Sequence, residues 1–284
     1  FNISIDGRFD DCQDLVKEVN RDELFKKANK IGAVNSINWG RIMAQVVYHI
    51  RAYLVMRAKG YDTTDIVVPS GNFGNVLAAH VAKQMGVPIR NLIVATNENK
   101  VLDHFFKTGI YEQTQVVVTS SPSMDISKAS NLERFLHDLL GRGDTQLKAV
   151  MDEFESTKKV DLSAFLSQLK DRFGFLSDAS SHQERAESIK DTYNNSNRIV
   201  DPHTAASLKA ATVYKSLDGV PVVCMETAKP TKFESAVEES LGFIPERPEA
   251  FYDLESKEQR FYSCEPTAQS VKKFIQESVS SRFI

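Results

Sequence analysis

Disulfide scaffolding, membrane spanning, nucleic-acid binding and metal ligation all lack their sequence signatures in this chain of 284 residues. Its three cysteines, Cys12, Cys224 and Cys264, are too few and too scattered for a disulfide framework or a zinc site. That usage fits a reducing compartment, so a cytoplasmic location is expected. No apolar run approaches the roughly 18 residues of a membrane span, and no membrane partner is expected. Lys plus Arg number 35 against 38 Asp plus Glu, a formal charge of −3, which leaves no electrostatic footprint for nucleic acid. Internal repeats and low-complexity tracts are missing too. With 42% hydrophobic and 26% charged residues, the chain can bury a large core as one big domain or two smaller ones.

The most constraining stretch is Pro69-Ser70-Gly71-Asn72-Phe73-Gly74-Asn75. Val67 and Val68 end a strand, and Leu77, Val81 and Met85 recur at helical spacing, so this is a strand-to-helix turn. Glycines can adopt positive φ and bare their backbone, and the following helix adds unpaired N–H groups and the positive end of its dipole. The turn suits a phosphate. A P-loop would need Lys-Ser or Lys-Thr after the second glycine, and a dinucleotide fingerprint would need three glycines; neither occurs. By composition alone, a bare turn remains the competing reading.

Strands and helices alternate along the chain. Residues Asn2 to Asp6 read as a strand, and Gly7, Asp10 and Asp11 open a helix carrying Leu15 and Val16. An opening at Phe1 in mid-strand suggests a piece of a longer polypeptide. Ile42, Val46, Ile50 and Leu54 mark a helix over 38–58; strands are expected at 66–68, 92–95, 116–119 and 220–225. Further helices are expected at 75–85, 101–106, 130–140, 202–213 and 233–241. The pattern is that of a parallel sheet covered by helices, with ligands beyond the C-terminal ends of the strands. Residues 141–197 read as a helical segment poor in strand signals, closed by a polar loop at Asn194-Asn195-Ser196-Asn197. The tail from Pro245 is polar apart from an amphipathic stretch with Val271, Phe274 and Ile275, expected to pack on the outside.

Seven segments, at 1–16, 35–49 (NSINWGRIMAQVVYH), 67–88 (VVPSGNFGNVLAAHVAKQMGVP), 93–99 (IVATNEN), 121–136 (SPSMDISKASNLERFL), 200–205 (VDPHTA) and 226–233 (ETAKPTKF), together resemble threonine synthase, in the branch of fungi and many bacteria. The resemblance covers nearly all of the chain in the family's order. It implies a fold-type II pyridoxal phosphate enzyme, tryptophan synthase β-like, that converts O-phosphohomoserine and water to threonine and phosphate. On that basis residues 1–140 form part of the large cofactor-binding α/β domain, 141–197 a helical segment, and 198–284 the completion of the large domain and the tail. The sheet is expected to be incomplete.

Carried over, the resemblance makes Ser70, Gly71, Asn72, Phe73 and Gly74 the cradle for the cofactor's phosphate. Thr227 becomes the residue whose hydroxyl meets the pyridine nitrogen, leaving that nitrogen largely unprotonated. Asn35, Ser36, Asn38 and Arg41 are candidates for the phosphate of the substrate, although an Asn or Ser before a helix is also a natural N-cap. Asp125 reads as a loop-capping carboxylate or an orienter of neighbouring groups, with capping the default. His203 is either structural at a helix start or a proton carrier near the substrate. No metal is expected.

The family's Schiff-base lysine, in a motif of the form H-G-P-T-x-x-F-K-D, matches nothing between Phe1 and Ile284. Lys229 lies close to Thr227 but at a different place, and is no substitute. The expected parent is therefore a threonine synthase, a carbon–oxygen lyase acting on phosphates, of which this chain is the C-terminal portion, inactive alone and partnered by the missing N-terminal part. A catalytically inert homologue that binds pyridoxal phosphate or another phosphate is the alternative. A lysine-free homologue kept for protein interaction is a further one.

Overall fold

Runs of β-branched residues alternating with helical periodicity fold into a parallel sheet between helices. The computed structural model describes residues 2–7, 9–32, 35, 37–215 and 218–280, apart from the side chains of Phe9, Asp10 and Ser280. In chain order the elements are β1 (Ile3–Ser4), α1 (Phe9–Arg21), α2 (Glu23–Asn29), α3 (Trp39–Ala58), β2 (Thr64–Pro69), α4 (Gly74–Gln84), β3 (Ile89–Thr96), α5 (Val101–Thr108), β4 (Ile110–Glu112), α6 (Leu132–Leu139), α7 (Asp144–Thr157), β5 (Lys159–Asp161), β6 (Phe175–Ala179), α8 (His182–Ser196), α9 (Pro202–Tyr214), β7 (Val222–Cys224), α10 (Glu234–Leu241), β8 (Tyr262–Ser263) and α11 (Ala268–Ser280). They form two compact units, Phe1–Val34 with Arg247–Ile284, and Asn35–Glu246. These boundaries differ from the three segments read from the sequence.

In the smaller unit β1 pairs in parallel with β8, Ile3 opposite Tyr262. The amphipathic stretch of the tail becomes α11, whose Ala268, Val271 and Ile275 pack with Leu15, Val19, Phe25 and Ile31. Lys272 fastens it to α2 through the N-cap carboxylate of Asp22 at 2.8 Å.

The larger unit is built on a four-stranded sheet in the order β6-β3-β2-β7, every pairing parallel. All six residues of β2 are buried, as a strand covered on both faces requires. Its period of two sorts the side chains. Ile66 and Val68 join Leu92 and Val94 in a large core with α3, α4, α5 and α6, while Val67, Ile93 and Ala95 face Ala206 and Ala210 of α9. Phe106, Phe135 and Phe175 cluster within the first core, Phe106 stacked on Phe175 with centroids 4.6 Å apart and Phe135 edge-on to Phe175 at 4.7 Å. Because every strand runs the same way, the loops after β2, β3, β6 and β7 emerge at one edge.

Three expectations are corrected. Residues 116–119 form no strand: the Val117 amide bonds the Asn99 side chain at 2.8 Å and the Thr119 amide bonds Asp125 at 2.8 Å, so side chains take the place of a ladder. The segment 141–197 is not purely helical, since Phe175–Ala179 is an edge strand of the main sheet. Its polar residues hid it from pattern reading; Ser177 donates to the Asp103 carbonyl and Asp178 pairs with Lys209 at 2.8 Å, which satisfies them within the fold. Asn194 to Ser196 continue α8, and only Asn197, left-handed at φ 55, ends it. Truncating Phe135 in the aromatic cluster should leave a cavity: Phe135→Ala is expected to lower unfolding free energy by about 3–5 kcal/mol in urea titrations.

Candidate functional site

The turn after β2 is held from several sides. The Ser70 amide donates to the Ala95 carbonyl at 2.9 Å, and the Phe73 amide to the Gly71 carbonyl at 2.8 Å. Asn72 is clamped from behind, its carbonyl accepting the Asn131 amide and side chain, each at 3.1 Å. Among the described residues, none accepts from the amides of Gly71, Asn72, Gly74 and Asn75, nor bonds to the Ser70 hydroxyl. Four backbone donors and a hydroxyl at the start of the 11-residue α4 make a donor set suited to an anion. The left-handed residue is Phe73, at φ 63, and neither glycine of the turn. Gly71 is needed for a different reason: a Cβ there would stand 2.2 Å from the Ser123 carbonyl oxygen.

That carbonyl belongs to a turn, 121–125, organised by a polar hub at the end of β3. Asp125 Oδ1 accepts from Asn97 at 2.7 Å, Asn99 at 2.9 Å and the Thr119 hydroxyl at 2.7 Å. With Oδ2 on the Thr119 amide, the carboxylate is occupied by the protein's own donors. His203 fixes the same turn from α9. Its Nε2 accepts the Ser123 amide at 3.2 Å, so the proton sits on Nδ1 and is donated to Asp201 at 2.8 Å. Both ring nitrogens are engaged, and the ring lies 4.7 Å from that of Phe233. Burial pushes the Asp201 carboxyl up, but the hydrogen bonds from His203 and Thr204 outweigh it and hold it below its ordinary value.

The other predicted positions sort as follows. Asn38 caps α3, accepting the Gly40 amide at 2.8 Å, and Asn35 accepts the Ile37 amide at 3.0 Å. Arg134 donates to the Ile37 carbonyl at 2.7 Å and to Asn131 at 2.6 Å. It thereby ties the 35–38 turn to the residue that clamps Asn72. Arg41 is exposed in the first turn of α3. Ser36 lies outside the described residues. Thr227 is exposed beyond β7, in the loop that follows Met225; Val67 pairs with Cys224 and its carbonyl accepts the Met225 amide. A cavity of 610 Å³ beside β7 is lined by Leu208, Val222 and Cys224 among others, but burial pushes the Cys224 thiol up to about 12, which leaves it neutral and unreactive.

The family model that matches, threonine synthase, C-terminal, covers residues 204–275. Threonine synthase of Methylobacillus glycogenes is 48% identical over 98% of this chain and 59% of its own length. Over nearly its whole length the chain is similar to threonine synthases. The structure of pyridoxal-phosphate-bound threonine synthase from Brucella melitensis superimposes with a TM-score of 0.85 at 37% identity, over 97% of this chain and 59% of that one. The yeast threonine synthase structure gives 0.81 at 33% identity, over 98% and 59%. The expected fold-type II α/β class is the one found. The chain spans about three-fifths of the length of the curated relatives it matches.

Within this fold the supports of the turn carry little signal in the sequence. Asn97 and Asn99 lie in the 93–99 segment, whose alternating asparagines were the available signal. Arg185, 1% exposed, pairs with Glu98 at 2.9 Å and carried no signal within a charged helical stretch. Burial pushes the Glu98 carboxyl up, and the hydrogen bond and charge of Arg185 together with backbone hydrogen bonds more than reverse it.

Gly71→Ala should displace the 121–125 turn and abolish anion binding at the loop, measurable as loss of phosphate affinity by calorimetry. Asp201→Asn should cost roughly 2 kcal/mol of stability at neutral pH. Since the folded carboxyl lies below its ordinary 3.8, that advantage of the wild type is complete above this pH and fades as pH falls through the lower folded value, as unfolding titrations across pH would read.

Proposed function

We propose that this chain is the C-terminal portion of a threonine synthase that converts O-phosphohomoserine and water to threonine and phosphate, and that Ser70 to Asn75 grip the phosphate of pyridoxal phosphate. The observation that carries this reading is the set of uncommitted donors, the amides of Gly71, Asn72, Gly74 and Asn75 with the Ser70 hydroxyl, gathered where α4 begins. Bound there, pyridoxal phosphate supplies an electron sink for eliminating phosphate and adding water. The loop would hold the cofactor by its phosphate, and the Thr227 hydroxyl, in the loop after the neighbouring strand, would meet the ring nitrogen. Its neutrality would leave that nitrogen largely unprotonated.

Asn35, Ser36, Asn38 and Arg41 are assigned to the substrate's phosphate, with Arg41 supplying charge. Asp125 and His203 act through the 121–125 turn, as both are committed to protein donors and acceptors. The lysine that carries the cofactor covalently and moves protons belongs to the part of the parent enzyme that this chain lacks, so the chain by itself binds but does not turn over. The enzyme class is a carbon–oxygen lyase acting on phosphates.

Titrating the chain with pyridoxal phosphate should quench protein fluorescence saturably, in competition with inorganic phosphate, and borohydride should fix no cofactor onto it. Thr227→Ala should weaken pyridoxal phosphate by about fivefold while leaving inorganic phosphate affinity unchanged. Covalent fixation on Lys229, or equal loss for both ligands, would contradict these assignments.

A further inference from the structure

The 35–49 segment ends in a residue with no role so far. His49 lies on the inner face of α3 beside Ile42 and Val46 and is fully buried. Its Nε2 stands 3.1 Å from the Asn75 carbonyl oxygen and 2.8 Å from Asn75 Oδ1, and its Nδ1 is buried without a partner. A backbone carbonyl only accepts, so Nε2 carries the proton. With Nε2 a donor, the side-chain atom nearest it must be the amide oxygen, and the Asn75 NH2 group faces away from the core. Burial lowers the His49 pKa, against the pull of the Asn75 hydrogen bonds, which favours the neutral ring.

Asn75 is the second residue of α4, half-buried, and its amide is among the uncommitted donors. Its Nδ2 likewise bonds to no described residue. We infer that His49 is a positioning residue, which turns the Asn75 side-chain amide outward so that its NH2 serves as an additional donor to the anion at the Ser70 to Asn75 loop. The inference rests on the reading of that loop as a phosphate cradle. It explains why a polar residue occupies a fully buried helical position: an apolar ring there would leave the Asn75 amide free to rotate and present its oxygen to the anion.

The test uses the 284-residue chain and inorganic phosphate. In nitrogen-resolved NMR, phosphate should shift the Asn75 side-chain NH2 resonances along with the loop's backbone amides, while His49 keeps its proton on Nε2. Asn75→Ala and His49→Phe should each weaken phosphate by about tenfold at unchanged unfolding midpoint. The double variant should be no weaker than either single one, and His49→Gln, whose NH2 reaches the place of Nε2, should restore most of the affinity. If His49→Phe does not fold, the wild-type spectra decide. Backbone amides that shift while the Asn75 NH2 stays still, a proton on Nδ1, or additive losses in the double variant would overturn the inference and leave the cradle standing. A wild type in which neither group shifts overturns both.

Discussion

Everything at the C-terminal edge of the sheet depends on Phe73, whose side chain is driven into the core while its backbone is left-handed at φ 63. A non-glycine residue in that region costs roughly 1–2 kcal/mol. Burying a phenylalanine side chain stabilises by roughly 1.5–3 kcal/mol, and aromatic neighbours add about 0.5–1.5 kcal/mol per favourable pair. Among the described residues Phe73 has three, with centroids 5.8 Å from Phe106, 6.0 Å from Phe135 and 6.0 Å from Phe175. Burial therefore outweighs the strain. The turn is held shut by the core behind it, and its amides are left facing outward with no need of a ligand to shape them.

The same turn is the meeting point of separate parts of the sequence. Ser123 leans its carbonyl on Gly71, and is itself held by His203 from α9 and by the Asp125 hub at the end of β3. Asn131 clamps Asn72 and hands its own oxygen to Arg134, which reaches the turn before α3. His49 closes the far side through Asn75. Segments that in sequence are islands of unusual polarity thus turn out to be the braces of one loop. A turn braced in this way needs no reordering to present its donors.

Much of this was legible beforehand, and the reasons are particular. The strand at Ile66 to Val68 and the helix after Gly74 announce themselves because their burial is uniform and their spacing regular. The strand at Phe175 to Ala179 does not, because Ser177 and Asp178 look polar and only their distant partners, Asp103 and Lys209, make them tolerable inside. Val116 to Thr119 carried strand composition, but its backbone is captured by the side chains of Asn99 and Asp125 and not by a neighbouring strand. At the site, the turn itself was readable from its glycines, although the reason assigned to them was not the one found. Gly71 yields to a neighbouring carbonyl, and positive φ falls on Phe73. His203 and Asp125 drew attention as chemical groups, yet the geometry commits both to holding the turn; Asn131, Arg134 and His49, which complete the bracing, gave no local sign because their partners lie on other elements.

The central claim is that the turn between β2 and α4 is a preformed phosphate cradle. A crystal structure of the chain grown with inorganic phosphate tests it most directly. The account predicts phosphate density within hydrogen-bonding distance of the Gly71, Asn72, Gly74 and Asn75 amides, with Phe73 still left-handed in its aromatic cluster. Phosphate bound elsewhere with this turn empty, or amides of the turn satisfied by the chain's own carbonyls, would contradict it.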